Sequence, residues 1–91
     1  MSENAEQAQG LEFPCEYPIK AMGRSEEVFA LTVLEIVSRH VGPVSEDQVR
    51  TRASDAGNFQ SITVTIQVES RSQLEAIYQA LADHELVLWT L

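Results

Sequence analysis

Eight consecutive residues in the second half of the chain alternate between apolar and polar side chains without a break. A period of two is the period of a β-strand, so the stretch predicts a strand with one core-facing side and one open side. The open side is uncharged and rich in hydroxyls, so it would face water, a second copy of the chain, or a ligand. The core-facing set is Ile62, Val64, Ile66 and Val68, and the open set is Ser61, Thr63, Thr65 and Gln67.

The residues before this stretch predict a strand and then a helix. Residues 17–23 alternate in polarity and are expected to form the first strand. Ser25 is the expected N-cap of the helix, because a serine hydroxyl can accept a hydrogen bond from a backbone N–H of the first turn. Apolar residues recur at helical spacing over residues 26–40, and Gly42 with Pro43 is expected to end the helix.

Two further strands and a second helix complete the pattern. A weaker alternation over residues 46–55 predicts a second strand, which a tight turn at Gly57 connects to the strong strand at residues 60–69. A capping box beginning at Ser72 predicts the start of an amphipathic helix. Residues 86–91 predict a last strand that is apolar on both sides.

The predicted order of elements is β-α-β-β-α-β, which defines the fold class as α+β. Two right-handed crossovers joined by a hairpin give a ferredoxin-like plait, with a four-stranded antiparallel sheet of order 4-1-3-2 and both helices on one face. The strong strand is then central, and its hydroxyl row lies in the middle of the open sheet face. We expect residues 1–11, which lack aromatic side chains, to form a flexible tail before a domain at residues 12–91.

The charge of the chain limits its partners. Six basic and fourteen acidic side chains give a net charge of −8, which argues against nucleic acids and anionic membranes as partners. No apolar run has the length of about 20 residues that a membrane helix needs. The first ten residues are polar and do not resemble a signal peptide, and Cys15 is the only cysteine. We therefore expect a cytoplasmic protein.

Conventional catalytic groups do not cluster in the sequence. His40 and His84 lie far apart, and neither has a cysteine or carboxylate at a spacing typical of a metal site. Cys15 is expected to behave as a small apolar residue. The sequence therefore predicts no enzyme, no metal site and no cofactor.

Three side chains on the predicted sheet have two interpretations each. Arg50 and Arg52 either protect an edge strand by their charge or anchor an acidic partner or a carboxylate ligand. Trp89 either packs in the core or forms an exposed apolar patch with Met22.

Several short motifs make the chain resemble the YbeD-like family of small bacterial proteins. The motifs are "LEFP" before the first strand, "MG" at its end, "RH" closing the first helix, "GNFQSITVTI" after the turn, and "IYQAL" in the second helix. The resemblance covers residues 11–91. It implies a ferredoxin-like fold similar to ACT-type regulatory domains, and it brings no catalytic residue.

The resemblance to ACT domains also implies a place for a ligand. Those domains bind amino acids at the loop between the first strand and helix, which here consists of Met22, Gly23, Arg24 and Ser25. They commonly carry an acidic residue just before the loop glycine, whereas this chain has Ala21 and Met22 there.

Two functions are consistent with these patterns. The first is a regulatory or protein-interaction module whose open sheet face meets a second copy or a partner protein. The second is an ACT-like sensor of an unknown small metabolite at residues 22–25, with Arg50 or Arg52 neutralising a carboxylate. The residues expected at the interface are Arg50, Arg52, Ser61, Thr63, Thr65, Gln67 and Trp89.

Overall fold

The computed structural model describes residues 10–54 and 56–90, which form one four-stranded antiparallel sheet and a layer of two helices. The strand order β2-β3-β1-β4 is the predicted order 4-1-3-2 read from the opposite edge, so the plait is confirmed. The predicted tail falls mainly on residues 1–9, which lie outside the described residues. The elements are β1 (Cys15–Arg24), α1 (Glu27–Val41), a 3-10 helix (Glu46–Gln48), β2 (Val49–Ala53), β3 (Phe59–Val68), α2 (Arg71–Ala82) and β4 (Trp89–Thr90).

The strong alternation forms the centre of the sheet, as predicted. Strand β3 lies between β1 and β2, and its four β-branched apolar residues are buried against the helices. Tyr17, Ile19 and Ala21 of β1 are buried beside them. Because successive strand residues point to opposite faces, this packing fixes the other face of both strands as the open one.

The first helix begins later than Ser25 predicts. Its N-cap is Glu26, which makes no side-chain cap hydrogen bond. The backbone N–H of Ser25 instead donates to the carbonyl of Asn58 at 3.0 Å. This hydrogen bond lies one residue past the last pair of β1 and β3, Arg24 with Phe59, and it ties Ser25 to the sheet side of the connection rather than to the helix. The helix ends at Gly42 as predicted, where φ is 86°.

The second strand is shorter than the predicted range of 46–55. Glu46–Gln48 forms a 3-10 helix, and the strand begins at Val49. Ser45 and Gln48 account for the difference, because the Ser45 N–H donates to the Gln48 side chain at 2.9 Å and the Gln48 N–H donates to the Ser45 carbonyl at 3.0 Å. This local capping outweighs the weak alternation of polarity.

The second helix is capped two residues earlier than predicted. Its N-cap is Ser70 rather than Ser72, and the Ser70 hydroxyl accepts from the Gln73 N–H at 3.1 Å. The side chain of Gln73 accepts from the Glu69 N–H at 2.7 Å and donates to the His40 carbonyl at 2.9 Å. Gln73 therefore supports the start of α2 and links it to the end of α1.

The last strand is much shorter than the predicted residues 86–91. Only Trp89 and Thr90 pair with β1, and Leu91 lies outside the described residues. A turn at His84 occupies the preceding residues, because its carbonyl accepts from the Val87 N–H and its Nδ1 accepts from the Leu86 N–H, both at 3.1 Å. Those N–H groups are then not available for a longer ladder.

The short β4 leaves part of β1 without a strand on one side. The Met22 carbonyl accepts a hydrogen bond from the Leu88 N–H on that side. The backbone groups of the alternate residues Lys20 and Pro18 therefore point to the same side. Pro18 has no backbone N–H to donate, and at this position no neighbouring strand is present to accept a hydrogen bond. Tyr78 of α2 lies beside this edge. Burial raises the pKa of its hydroxyl above the usual range, Tyr17 adds to the rise, and the Lys20 backbone N–H opposes it.

Candidate functional site

The open face of the sheet is formed by the alternate residues of the four strands that point away from the helices. Within residues 10–54 and 56–90, these alternate residues are exposed or half-buried, and none of them is buried. On β1 these alternate residues are exposed or half-buried, whereas their neighbours are buried. The β1 residues of the open face are Glu16, Pro18, Lys20, Met22 and Arg24.

Strand register arranges the open face in rows. One row runs from Arg50 through Thr63 to Lys20. Since neighbouring strands lie about 4.8 Å apart, the two cationic residues flank the central threonine at roughly 5 Å of backbone separation on either side. Of the hydroxyl residues predicted from the sequence, Thr63 therefore has a cationic residue on both sides, and Ser61 has one on the β2 side only. The next row consists of Arg52, Ser61, Met22 and Trp89.

An apolar cluster lies at one end of the open face. Trp89 is 47% exposed and pairs across the strands with Met22, so it is not part of the core. Phe59 is 37% exposed, and its ring centroid lies 6.5 Å from that of Trp89. Phe59 was not a predicted site residue, because the predicted strand began at residue 60, whereas β3 begins at Phe59, two residues before Ser61 on the same face. We call Met22, Phe59 and Trp89 the aromatic cluster.

Positive charge is concentrated on the open face of this acidic chain. Four of the six basic residues lie there, and Glu16 is the only carboxylate among the described strand residues. In the described part of the chain, the one ion pair joins Arg39 and Glu35 on α1. No hydrogen bond or ion pair between described residues engages the four cationic side chains, which are Lys20, Arg24, Arg50 and Arg52.

The predicted interface residues do not all lie together. Arg50, Arg52, Ser61 and Thr63 share the two cationic rows, and Trp89 closes one of them. Thr65 and Gln67 lie further along β3, opposite Pro18 and Glu16.

The predicted ligand loop is divided between the two faces of the sheet. Met22 and Arg24 belong to the open face, whereas Gly23 is buried towards the helices. A cavity of about 210 Å³ adjoins this loop at Arg24, and the buried residue Phe29 is part of its lining. Arg50 and Arg52 do not line this cavity, so they are not placed to neutralise a ligand there. The lining residues are Arg24, Glu26, Phe29, Glu85, Leu86 and Leu88.

The histidines have structural contacts. His40 Nδ1 lies 2.9 Å from the Ile36 carbonyl, and His84 Nδ1 accepts from the Leu86 N–H. Within the described ranges, no three His, Cys, Asp or Glu side chains come together as metal ligands would. Neither α1 nor α2 combines the length and hydropathy that crossing a bilayer requires.

Comparison with known proteins identifies a family and relatives that this chain resembles. The family model described as "Protein of unknown function (DUF493)" matches residues 8–91. A UPF0250 protein of Paraburkholderia phytofirmans is 45% identical over 76 residues, which cover 84% of this chain and 85% of that protein. A UPF0250 protein of Neisseria gonorrhoeae is 40% identical over 87 residues, covering 96% of each chain. These names state no enzymatic activity.

A solved structure shares the fold. The solution structure of protein HP0495 from H. pylori matches with a TM-score of 0.68 at 18% identity, covering 89% of this chain and 85% of that one. At this identity the likeness shows the ferredoxin-like fold alone.

Proposed function

We propose that this chain is a cytoplasmic regulatory or protein-interaction module that uses its open sheet face. The chain belongs to the DUF493 family of proteins of unknown function, whose members include the UPF0250 or YbeD-like proteins. The aromatic cluster on the uncovered face carries this proposal. Large exposed aromatic side chains are enriched at the energetic centres of protein interfaces, where each contributes a large apolar area and few rotamers are lost. The half-buried hydroxyls beside the cluster can donate and accept hydrogen bonds. Because they are neutral, burying them in an interface does not remove a charged group from water.

The charge of the open face favours a partner protein over a second copy. In a two-fold interface the same patch meets itself, so the cations of one copy would face those of the other. Like charges in contact oppose association. A partner protein avoids this repulsion.

Photo-crosslinking in bacterial cells tests the proposal. Phe59 is replaced by p-benzoylphenylalanine, which keeps an aromatic ring in the aromatic cluster. Leu31 is the matched control, because it is an apolar side chain with 60% exposure on α1. We expect a light-dependent adduct with another protein from Phe59 and none from Leu31.

Three outcomes of the crosslinking experiment would contradict the proposal. They are no adduct from Phe59, equal adducts from both positions, and an adduct that contains only a second copy of this chain. The last would identify the face as a homodimer interface instead.

A second candidate function is an ACT-like sensor of a small metabolite, and the cavity of about 210 Å³ beside Arg24 supports it. Glu26 and Glu85 at the same cavity would repel a carboxylate ligand, so this function ranks second.

The test of the sensor function is thermal unfolding with amino acids, nucleotides and small organic acids. A ligand at 100 times its dissociation constant adds about 2.7 kcal/mol of stability. We expect Arg24→Gln to abolish the shift and Arg39→Gln to keep it; no shift with any compound contradicts this function.

A further inference from the structure

We propose that the open face selects an acidic protein segment, in which carboxylates alternate with an apolar side chain. This inference rests on the proposed function and names the chemistry of its partner. It is drawn from three properties of the described residues: the separation of charge, the position of the hydroxyls, and the place of the aromatic cluster.

The separation of charge is the first property. The open face holds four basic side chains, whereas the rest of the chain holds thirteen acidic and two basic ones. The four cations have no ion-pair partner within residues 10–54 and 56–90, so a bound carboxylate would not have to displace any of those residues from them. An acidic segment is attracted to this face and repelled by the remaining surface, which fixes where it binds.

The hydroxyl of Thr63 gives the cationic row a place for one carboxylate. A carboxylate above Thr63 would have the Arg50 guanidinium on one side and the Lys20 ammonium on the other. The hydroxyl would donate to the same group from below. Charge-assisted hydrogen bonds of this kind are stronger than neutral ones, and Arg adds a two-pronged geometry that suits carboxylates.

The aromatic cluster sets the spacing of the segment. The pair of Ser61 and Met22 forms the row next to that of Thr63 and Lys20, and the two rows are two residues apart along each strand. This step is about 7 Å, which is also the step between residues i and i+2 of an extended peptide. A segment lying along the strands can therefore place a carboxylate over Thr63 and an apolar side chain over the aromatic cluster two residues later.

A nucleic acid fits this surface less well than an acidic protein segment does. The cations occupy only two neighbouring rows and the adjoining end of β1, whereas a polynucleotide carries a phosphate at every residue and extends past them. Beyond the face it would meet the acidic remainder of a chain with a net charge of −8. A peptide of a few residues can end within the cationic rows.

The first test is a selection from a phage-displayed library of random dodecapeptides against the full chain. We expect the enriched peptides to be acidic and to carry an apolar side chain two residues from a carboxylate. We also expect their binding to weaken between 50 and 300 mM salt, because exposed charges are screened. The inference is overturned by enrichment of neutral or basic peptides, by no enrichment, or by tighter binding of a single-stranded oligouridylate than of the selected peptide.

The second test uses two double variants with the same change in net charge. Arg50→Glu with Arg52→Glu reverses the charge on the open face, and Arg39→Glu with Arg71→Glu reverses two exposed residues on the helices. We expect the first pair to weaken binding of a selected peptide by about tenfold or more, and the second by about twofold, because only the first removes direct contacts. Equal losses would overturn the inference by showing that net charge alone governs binding.

The two proposals fail in different ways. A Phe59 adduct with a partner whose contacting segment is not acidic would overturn this inference and leave the interaction module intact. Loss of the Phe59 adduct itself would contradict the interaction module.

Discussion

Gly23→Ala is expected to destabilise the chain by about 2–3 kcal/mol, because a Cβ at this position has no room. The added atom would lie 2.5 Å from two ring carbons of Phe29 and 2.7 Å from the Leu86 carbonyl oxygen. The Phe29 ring is fully buried, so it cannot swing into solvent to relieve the clash. At about 4–8 °C per kcal/mol for a domain of this size, the melting temperature should fall by about 10–20 °C.

A double-mutant cycle assigns this cost to the ring. Phe29→Leu removes the ring carbons nearest to the new Cβ and creates a small cavity of its own. We expect Gly23→Ala to cost clearly less in the Phe29→Leu background than in the wild type, as measured by urea unfolding. Equal costs in both backgrounds would show that the ring contact is not the cause.

The packing of Gly23 changes how the ligand loop should be tested. Gly23→Val introduces more atoms at the same contact, so a loss of binding in that variant would reflect unfolding rather than a lost ligand contact. Arg24 lies in the same loop and is exposed, so Arg24→Gln reports on the cavity without disturbing the core. The loop glycine is thus explained by the close approach of α1 and the residues before β4.

The periodicity of apolar residues predicted the fold, because each strand and helix that buries one face must place apolar residues at that period. The alternation around Val64 and the helical spacing in α1 both follow from one face being dry, and the structure has both. The ends of the elements were predicted less well. Ser25, Ser72 and residues 46–48 all have suitable capping or strand chemistry, but other hydrogen bonds accompany the observed boundaries. The Ser25 N–H donates to the Asn58 carbonyl, the Ser70 hydroxyl caps α2, and the Ser45 N–H donates to the Gln48 side chain.

The composition of the open face could be predicted only in part. Arg50 and Arg52 were visible as alternating cations, because they lie in one strand. The alternation in β1 puts Lys20 on the same face, but only the register between β1 and β3 brings it into one row with Thr63 and Arg50, and Arg24 lies one residue beyond the predicted strand. A net charge of −8 therefore concealed a cationic surface, since a sum over the chain carries no information about which face each charge occupies.

The same limit applied to Trp89, whose position depends on the length of β4. A strand over residues 86–91 would give several cross-strand pairs, whereas the turn at His84 leaves two, Ala21 with Thr90 and Met22 with Trp89. The pair with Met22 places the indole on the open face, with its ring centroid 6.5 Å from that of Phe59. The aromatic cluster is thus a consequence of how the chain turns before its last strand.

Trp89→Ala should separate binding from stability. The side chain is half-exposed and forms a tilted ring pair with Phe59, so its loss should cost about 1 kcal/mol of stability, the scale of one aromatic pair. At an interface, a tryptophan at the centre of the contact commonly contributes 2 kcal/mol or more. We therefore expect the affinity for the partner recovered in the Phe59 adduct to fall about 30-fold or more, as measured by isothermal titration calorimetry.

Leu31→Ala is the matched control for this variant. Both side chains are large, apolar and exposed, but Leu31 lies on the outer surface of α1. Its replacement should leave the affinity unchanged, because no part of the open face is altered. If the two variants weaken binding equally, or if Trp89→Ala binds like the wild type, the aromatic cluster is not the centre of the interface. The cationic rows alone would then have to hold the partner, and the affinity would depend on salt as strongly in Trp89→Ala as in the unmodified chain.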